Sequence, residues 1–91
     1  MNKVSKKNLP EEVADILHRI SQGIPSIYPK DGSIFQNREK KLPTQPSGYY
    51  REFTVTTPAI DNRGARRLIM GSSGEIYYTD DHYASFWQVE E

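Results

Sequence analysis

Ninety-one residues make a single small domain, and a chain of this size buries only about 60 to 65% of its unfolded surface, so one economical core is expected. Twelve basic residues balance twelve acidic ones, which excludes a protein that coats nucleic acid or anionic membrane by bulk charge and requires any anion site to be focused. Without cysteine there is no disulfide framework or thiolate metal site, and no apolar run approaches the roughly 20 residues that a membrane span needs.

Residues 1–8, "MNKVSKKN", are polar and lysine-bearing and read as a loose tail ahead of a domain over 9–91. They do not lead into the apolar stretch of an export signal, so the chain reads as a soluble form from which such a signal can have been trimmed. A helix is expected from Leu9: Pro10 suits its first turn, Glu11, Glu12 and Asp15 complement the positive end of its dipole, and Val13, Ile16, Leu17 and Ile20 recur at helical spacing. Gly23 closes it as the left-handed residue after the last turn.

Residues 24–48 hold four of the six prolines and two glycines, which predicts an ordered loop with at most a short strand around "SIF". From Tyr49 the composition turns to strand: "YYREFTVTT", "ARRLIMG", "EIYYT" and "HYASFWQV", each bounded by turn formers. One helix followed by consecutive strands predicts an α+β domain, a single N-terminal helix packed on a twisted antiparallel sheet. In the first strand Phe53 and Val55 face the core, while Glu52, Thr54 and Thr56 share the other face, free for chemistry.

Three arginines crowd the five residues "RGARR": Arg63, Arg66 and Arg67. Forked guanidiniums suit bidentate phosphate contacts, and Gly64 lets the backbone bend between them. A solvated, charged hairpin is the plainer interpretation. Glu52 either pairs with an arginine across the sheet or acts as a general base aimed at a hydroxyl. His82 follows Asp80 and Asp81 in "TDDHYASF", and carboxylates close to the ring would favour the imidazolium that donates a proton. His18 lacks such a setting and reads as a surface residue.

Carboxylate, imidazole and guanidiniums together meet the needs of RNA cleavage without a metal or other cofactor. The carboxylate takes the 2′-hydroxyl proton, the guanidiniums hold the negative charge on phosphorus, and the imidazolium protonates the departing 5′-oxygen. In "SIFQNREKKLP", backbone amides at Gln36, Asn37 and Arg38 can donate to a base carbonyl while Glu39 accepts from two N–H groups, a combination that among RNA bases fits guanine. Phe35 and Arg38 offer flat stacking surfaces. Alternatively this is a polar loop with Phe35 buried in the core.

"FQNRE", "LPTQPSGYYREFTVTTP", "RGARR" and "YYTDDHYASF" together resemble the secreted bacterial guanyl-specific ribonucleases, the barnase-like family, and in particular its streptomycete branch. The resemblance runs from about Leu9 to Val89. It implies Glu52 as general base, His82 as general acid, and Arg63, Arg67 and Tyr83 at the phosphate. For the base it implies Glu39 with the amides of Gln36, Asn37 and Arg38, and Phe35 beside the ring. It also implies that a 2′,3′-cyclic phosphate forms first and is hydrolysed to the 3′-phosphate. The expected substrate is single-stranded RNA, the expected site of action extracellular, the expected state monomeric, and the expected protein partner an acidic inhibitor resembling barstar.

The chain departs from those relatives in lacking the disulfide that ties their termini, in carrying Asp80 where they often have Gly, and in placing Asp61 beside the arginines. Two other functions fit the same motifs: a non-catalytic RNA or guanine-nucleotide-binding module, and a ribonuclease toxin domain with an immunity partner.

Overall fold

In the computed structural model, which describes residues 1–90, helix α1 spans Glu11–Ser21. Pro10 stands just before it as the capping residue, and Glu11 and Glu12 fill the first turn. At the other end Gly23, at φ +67°, donates to Ile20 O at 3.1 Å and Ile24 donates to Arg19 O at 2.9 Å. This pair of bonds is a Schellman closure, which requires a left-handed residue where the glycine stands. Val13 is fully buried, Ile16 and Leu17 are partly so, and His18 is exposed, so the apolar stripe faces the sheet.

The strands are β1 (Asn2–Ser5), β2 (Tyr50–Thr54), β3 (Arg67–Gly71), β4 (Ile76–Thr79) and β5 (Trp87–Glu90), in the spatial order β1-β5-β4-β3-β2. β2 to β5 form the expected antiparallel meander, each strand shorter than its apolar segment suggested. The final segment differs most: β5 begins only at Trp87, which leaves His82 in a loop before the strand.

The first eight residues are not a loose tail. Asn2–Ser5 add to the edge of β5 in parallel register, Asn2 opposite Trp87 and Ser5 opposite Glu90, and Lys6–Asn8 make a single 3-10 turn into α1. The sheet is therefore mixed. Two effects drive the pairing: an open β5 edge would leave a row of unpaired backbone groups, and Val4 packs against the helix-side core. Three polar residues and one valine carry too little alternation to reveal this beforehand. The same pairing brings Asn2–Ser5 against Trp87–Glu90, with an exposed Lys3–Glu90 ion pair at 3.7 Å adding little.

Both faces of the sheet are covered, and the core is double. On the helix side Val13, Val55, Leu68, Ile76, Tyr78 and Val89 pack together with Phe53. On the other side Leu42, Tyr50, Ile69, Tyr77 and Phe86 form a second cluster with Phe35, Tyr49 and Tyr83 against it. The alternation of Leu68 with Ile69, and of Tyr78 with Tyr77, distributes the same strands between the two clusters. The proline-rich loop supplies the lid of the second one, and the Tyr50 hydroxyl donates to Pro43 O at 2.6 Å to hold it there. The face that carries Glu52 is thus a walled cleft rather than an open sheet surface.

Candidate active site

Strand register decides which charged side chains meet. Thr54 lies opposite Arg67 on β2 and β3, and Arg67 lies opposite Thr79 on β4. Directly paired residues point to the same face, as do residues two apart. Glu52, Thr54, Arg67 and Thr79 therefore share the face opposite α1. Arg66, one residue earlier, must point the other way, and its Nη1 lies 3.3 Å from Glu12 Oε1 on the helix. Of the three clustered arginines, Arg66 meets α1 while Arg63 and Arg67 lie on the side of Glu52 and Tyr83.

The turn that holds them depends on Gly64, at φ +65°; a Cβ there would lie 2.8 Å from Thr57 Oγ1 and 2.9 Å from Ile60 Cδ1. Arg67 is only 3% exposed. Its Nη1 donates to the carbonyls of Arg66 at 2.8 Å, Gly64 at 2.9 Å and Arg63 at 3.3 Å, closing the turn, whereas its buried Nε has no hydrogen-bond partner among the described residues. An unpaired buried donor on a cation is costly, and an anion in the cleft would relieve that cost. Arg63 donates from Nε to Thr54 Oγ1 at 2.8 Å and reaches Glu52 Oε1 at 3.3 Å and Asp31 Oδ1 at 3.4 Å. Glu52 thus has a fixed ionic partner, and Arg63 has its planar group set in place.

Asp31 went unnoticed in the sequence, where "KDGS" reads only as a turn. Its side chain is 2% exposed. Besides meeting Arg63, it accepts from the Thr54 amide at 2.9 Å, the Thr54 hydroxyl at 2.7 Å and the Ser26 hydroxyl at 2.8 Å. The same turn pairs with the backbone of Glu52, through Gly32 N–H to Glu52 O at 2.7 Å and Glu52 N–H to Ser33 O at 2.9 Å. No spacing rule links an aspartate in this loop to a strand so far along the chain. Asp31→Ala strips several buried donors of their acceptor, and a loss of about 3 kcal/mol is expected. A shift in the urea midpoint at unchanged slope measures it.

The loop between β4 and β5 bends sharply, with His82 at φ +54° and Tyr83 at φ +75°. A bulky residue in the left-handed region costs on the order of 1–3 kcal/mol, and such strain persists only where neighbours enforce it. His82 N–H donates to Ala65 O at 3.0 Å, which ties this loop to the arginine turn, and Tyr83 N–H donates to Thr79 Oγ1 at 3.2 Å. Asp81 clamps the bend: it accepts from the Ser85 hydroxyl at 2.5 Å, the Ser85 amide at 2.9 Å and the Thr79 hydroxyl at 2.8 Å. Those bonds, the Ser85 hydroxyl foremost, pull its pKa down to about 2.

Neither Asp80 nor Asp81 pairs with the imidazole among the described residues, so the condition under which they would favour the imidazolium is not met. Asp81 is engaged by the loop itself, and Asp80 is exposed and makes no ion pair among the described residues. The His82 ring instead lies 4.9 Å from the ring of Tyr83, over which Arg67 sits at 6.0 Å. Burial, and next the charge of Glu52, push the Tyr83 phenol up, with Arg67 and Arg63 opposing. Its hydroxyl is accordingly a proton-bearing donor near neutral pH.

Phe35 N–H donates to Tyr50 O at 2.9 Å, continuing the sheet edge beside β2. The chain then turns away through Asn37 at φ +54° and Lys40 at φ +56°. The Asn37 side chain closes this loop, accepting from Leu42 N–H at 3.1 Å and donating to Leu42 O at 2.9 Å. The amides of Gln36, Asn37, Arg38 and Glu39 donate to no protein acceptor among the described residues. Glu39 is 73% exposed, 3.9 Å from Lys41. Phe35 stacks on Tyr83 with centroids 5.2 Å apart and meets Phe86 edge-on at 6.0 Å, so it belongs both to the second core and to the wall of the cleft.

A cleft of about 320 Å³ runs from Glu39 and the loop amides, past Phe35, to Tyr83 and Glu52. Arg63 joins it through Glu52, Arg67 through Tyr83, and His82 through its ring contact with Tyr83. Glu52, Arg63, Arg67, His82 and Tyr83 are thus gathered at one side of the molecule with Phe35 and the loop from Gln36 to Glu39, whereas Arg66 faces the helix.

A family model described as ribonuclease matches residues 1–90. The chain is 50% identical over 84 residues to guanyl-specific ribonuclease Sa of Kitasatospora aureofaciens, covering 91% of this chain and 88% of that protein. It is 52% identical over 79 residues to guanyl-specific ribonuclease St of Saccharopolyspora erythraea, covering 87% of this chain and 78% of that protein. Its fold superposes on a crystal structure of ribonuclease Sa2 with guanosine-2′-cyclophosphate at a TM-score of 0.93, with 42% identity over 99% of this chain and 96% of the other. This chain belongs to the barnase-like family of guanyl-specific microbial ribonucleases. The α+β architecture is the microbial ribonuclease fold.

Proposed function

We propose that this protein is a guanyl-specific endoribonuclease that cuts single-stranded RNA on the 3′ side of guanosine. The observation that carries this reading is the continuity of the cleft: four unpaired amides and the Glu39 carboxylate at one end, Glu52, Tyr83 and the guanidiniums at the other. The relatives named guanyl-specific ribonuclease support the same activity here.

Glu52 takes the proton from the guanosine 2′-hydroxyl, and that oxygen attacks the adjacent phosphorus. The P–O5′ bond breaks as His82 gives its proton to the departing oxygen, and a 2′,3′-cyclic phosphate remains. Arg63, Arg67 and the Tyr83 hydroxyl hold the negative charge that builds on the phosphoryl oxygens; the partnerless Arg67 Nε gives this a specific donor. Hydrolysis reverses the roles. Neutral His82 takes a proton from water, the water oxygen bonds to phosphorus, and the P–O2′ bond breaks as Glu52 returns a proton to the 2′-oxygen, giving the 3′-phosphate.

Guanine is read by its edge. Amides at Gln36, Asn37 and Arg38 donate to O6, Glu39 accepts from N1–H and N2–H₂, and Phe35 lies beside the ring. Extracellular action and restraint by an acidic, barstar-like inhibitor belong to the same reading, supported by the resemblance to secreted ribonucleases.

Digestion of a defined oligonucleotide, with cut positions and end groups mapped, tests it. Cuts after guanosine that leave cyclic and then 3′-phosphate ends are expected, and cuts without base preference or with 5′-phosphate ends contradict it. Glu39→Ala removes the group that tells guanine from the other bases. Guanosine preference should fall by about 10- to 100-fold, in line with one charged hydrogen-bonding group; an unchanged cut pattern would refute that assignment.

A further inference from the structure

We infer that Lys41 is a positioning residue that couples base reading to the loop carrying His82. Its ammonium donates to Ala84 O at 2.6 Å and to Tyr83 O at 3.5 Å, and lies 3.9 Å from the Glu39 carboxylate. No other hydrogen bond joins residues 34–42 to residues 80–86 among the described residues. The remaining contacts across this gap are aromatic, Phe35 on Tyr83 and on Phe86, and flat rings slide where a charged donor fixes distance and direction.

The geometry gives this one side chain two tasks. An ammonium has three N–H groups; two point at backbone carbonyls immediately after His82, and the third side meets the acid proposed to read guanine. The carbonyls belong to the strained segment in which His82 and Tyr83 both hold positive φ, a conformation that needs outside restraint. When Glu39 turns to the N1–H and N2–H₂ edge of guanine, Lys41 is held between a carboxylate fixed by the base and a loop that carries the proton donor. A filled base site thereby stiffens the position of His82. An adenine base offers Glu39 no such pair of donors, and the coupling is lost.

This inference rests on the proposed ribonuclease reading. The test compares cleavage of a guanylyl dinucleotide and an adenylyl dinucleotide by the full chain and by Lys41→Met and Lys41→Arg, resolving kcat from KM. Lys41→Met should lower kcat on the guanylyl substrate by roughly tenfold with KM changed by less than about twofold, since misplacement of a catalytic group affects turnover first. The adenylyl substrate should lose less than about twofold in kcat, and Lys41→Arg, which keeps charge and donors, should recover most of the loss.

Equal losses on both substrates would make Lys41 a plain support of the loop and overturn the coupling. A loss confined to KM, or none, overturns it as well. A wild-type protein that leaves the guanylyl substrate uncut defeats the parent reading before any variant is compared, so the two failures are distinguishable.

Discussion

Glu52→Gln should yield a folded protein whose kcat/KM for a guanylyl dinucleotide is about 10²- to 10⁴-fold below that of the parent, the range expected when a general base is removed. Gln keeps the shape and an oxygen for Arg63, so the ion pair at 3.3 Å becomes a neutral hydrogen bond. The backbone of Glu52 remains paired with Gly32 and Ser33. Stability should therefore change by no more than about 1 kcal/mol, as for a partly exposed ion pair. A variant that unfolds fails this expectation, and one that folds and keeps full activity removes Glu52 from the chemistry. With the base absent, the acid-side limb of the pH–rate profile should flatten, because no carboxylate has to lose its proton before reaction.

His82→Gln should cost a similar factor, about 10²- to 10⁴-fold, since the 5′-oxygen then leaves without a proton. Here the backbone complicates the comparison. At φ +54° the position suits His or Asn better than Gln, so part of any stability loss, about 1 kcal/mol, comes from the left-handed conformation alone. His82→Asn separates the two effects, keeping a residue at ease in that region while removing the proton donor. Both variants should lose the alkaline limb of the profile, because activity no longer depends on an imidazolium giving up its proton. An unchanged alkaline limb in either would take His82 out of the mechanism.

What the sequence disclosed follows from how local each feature is. α1 was legible because its stripe, acidic first turn and closing Gly23 all lie within a few residues of one another, and the meander because each strand is bounded by turn formers. β1 was not legible: Asn2–Ser5 become a strand only because the far end of the chain offers them an edge. The second core was only partly visible for a related reason: a buried Phe35 was one reading of its loop, but the loop's composition signals turns and says nothing of Leu42 or of what the loop covers.

The charged residues divide the same way. That three arginines lie close together is visible in the sequence, but that Arg66 turns to α1 and Arg67 to the opposite face depends on strand register. Asp31 joins Arg63 and Thr54 from a distant turn, and Asp81 is drawn away from the imidazole by Ser85, four residues on. Motif reading found the candidate site because its members are chemically uncommon in company; the residues that hold those members in place are ordinary turn formers with no such mark.

In the proposed mechanism one phosphate position lies between Glu52 and His82 within reach of Arg63, Arg67 and Tyr83. A crystal structure of the protein with guanosine 3′-monophosphate measures this directly. The account predicts a phosphate whose oxygens accept hydrogen bonds from Arg67 Nε, the Arg63 guanidinium and the Tyr83 hydroxyl, with the Glu52 carboxylate beside the 2′-oxygen and the imidazole on the opposite side of phosphorus. A nucleotide bound elsewhere, or a phosphate in the cleft with both Glu52 and His82 on one side of it, would contradict it.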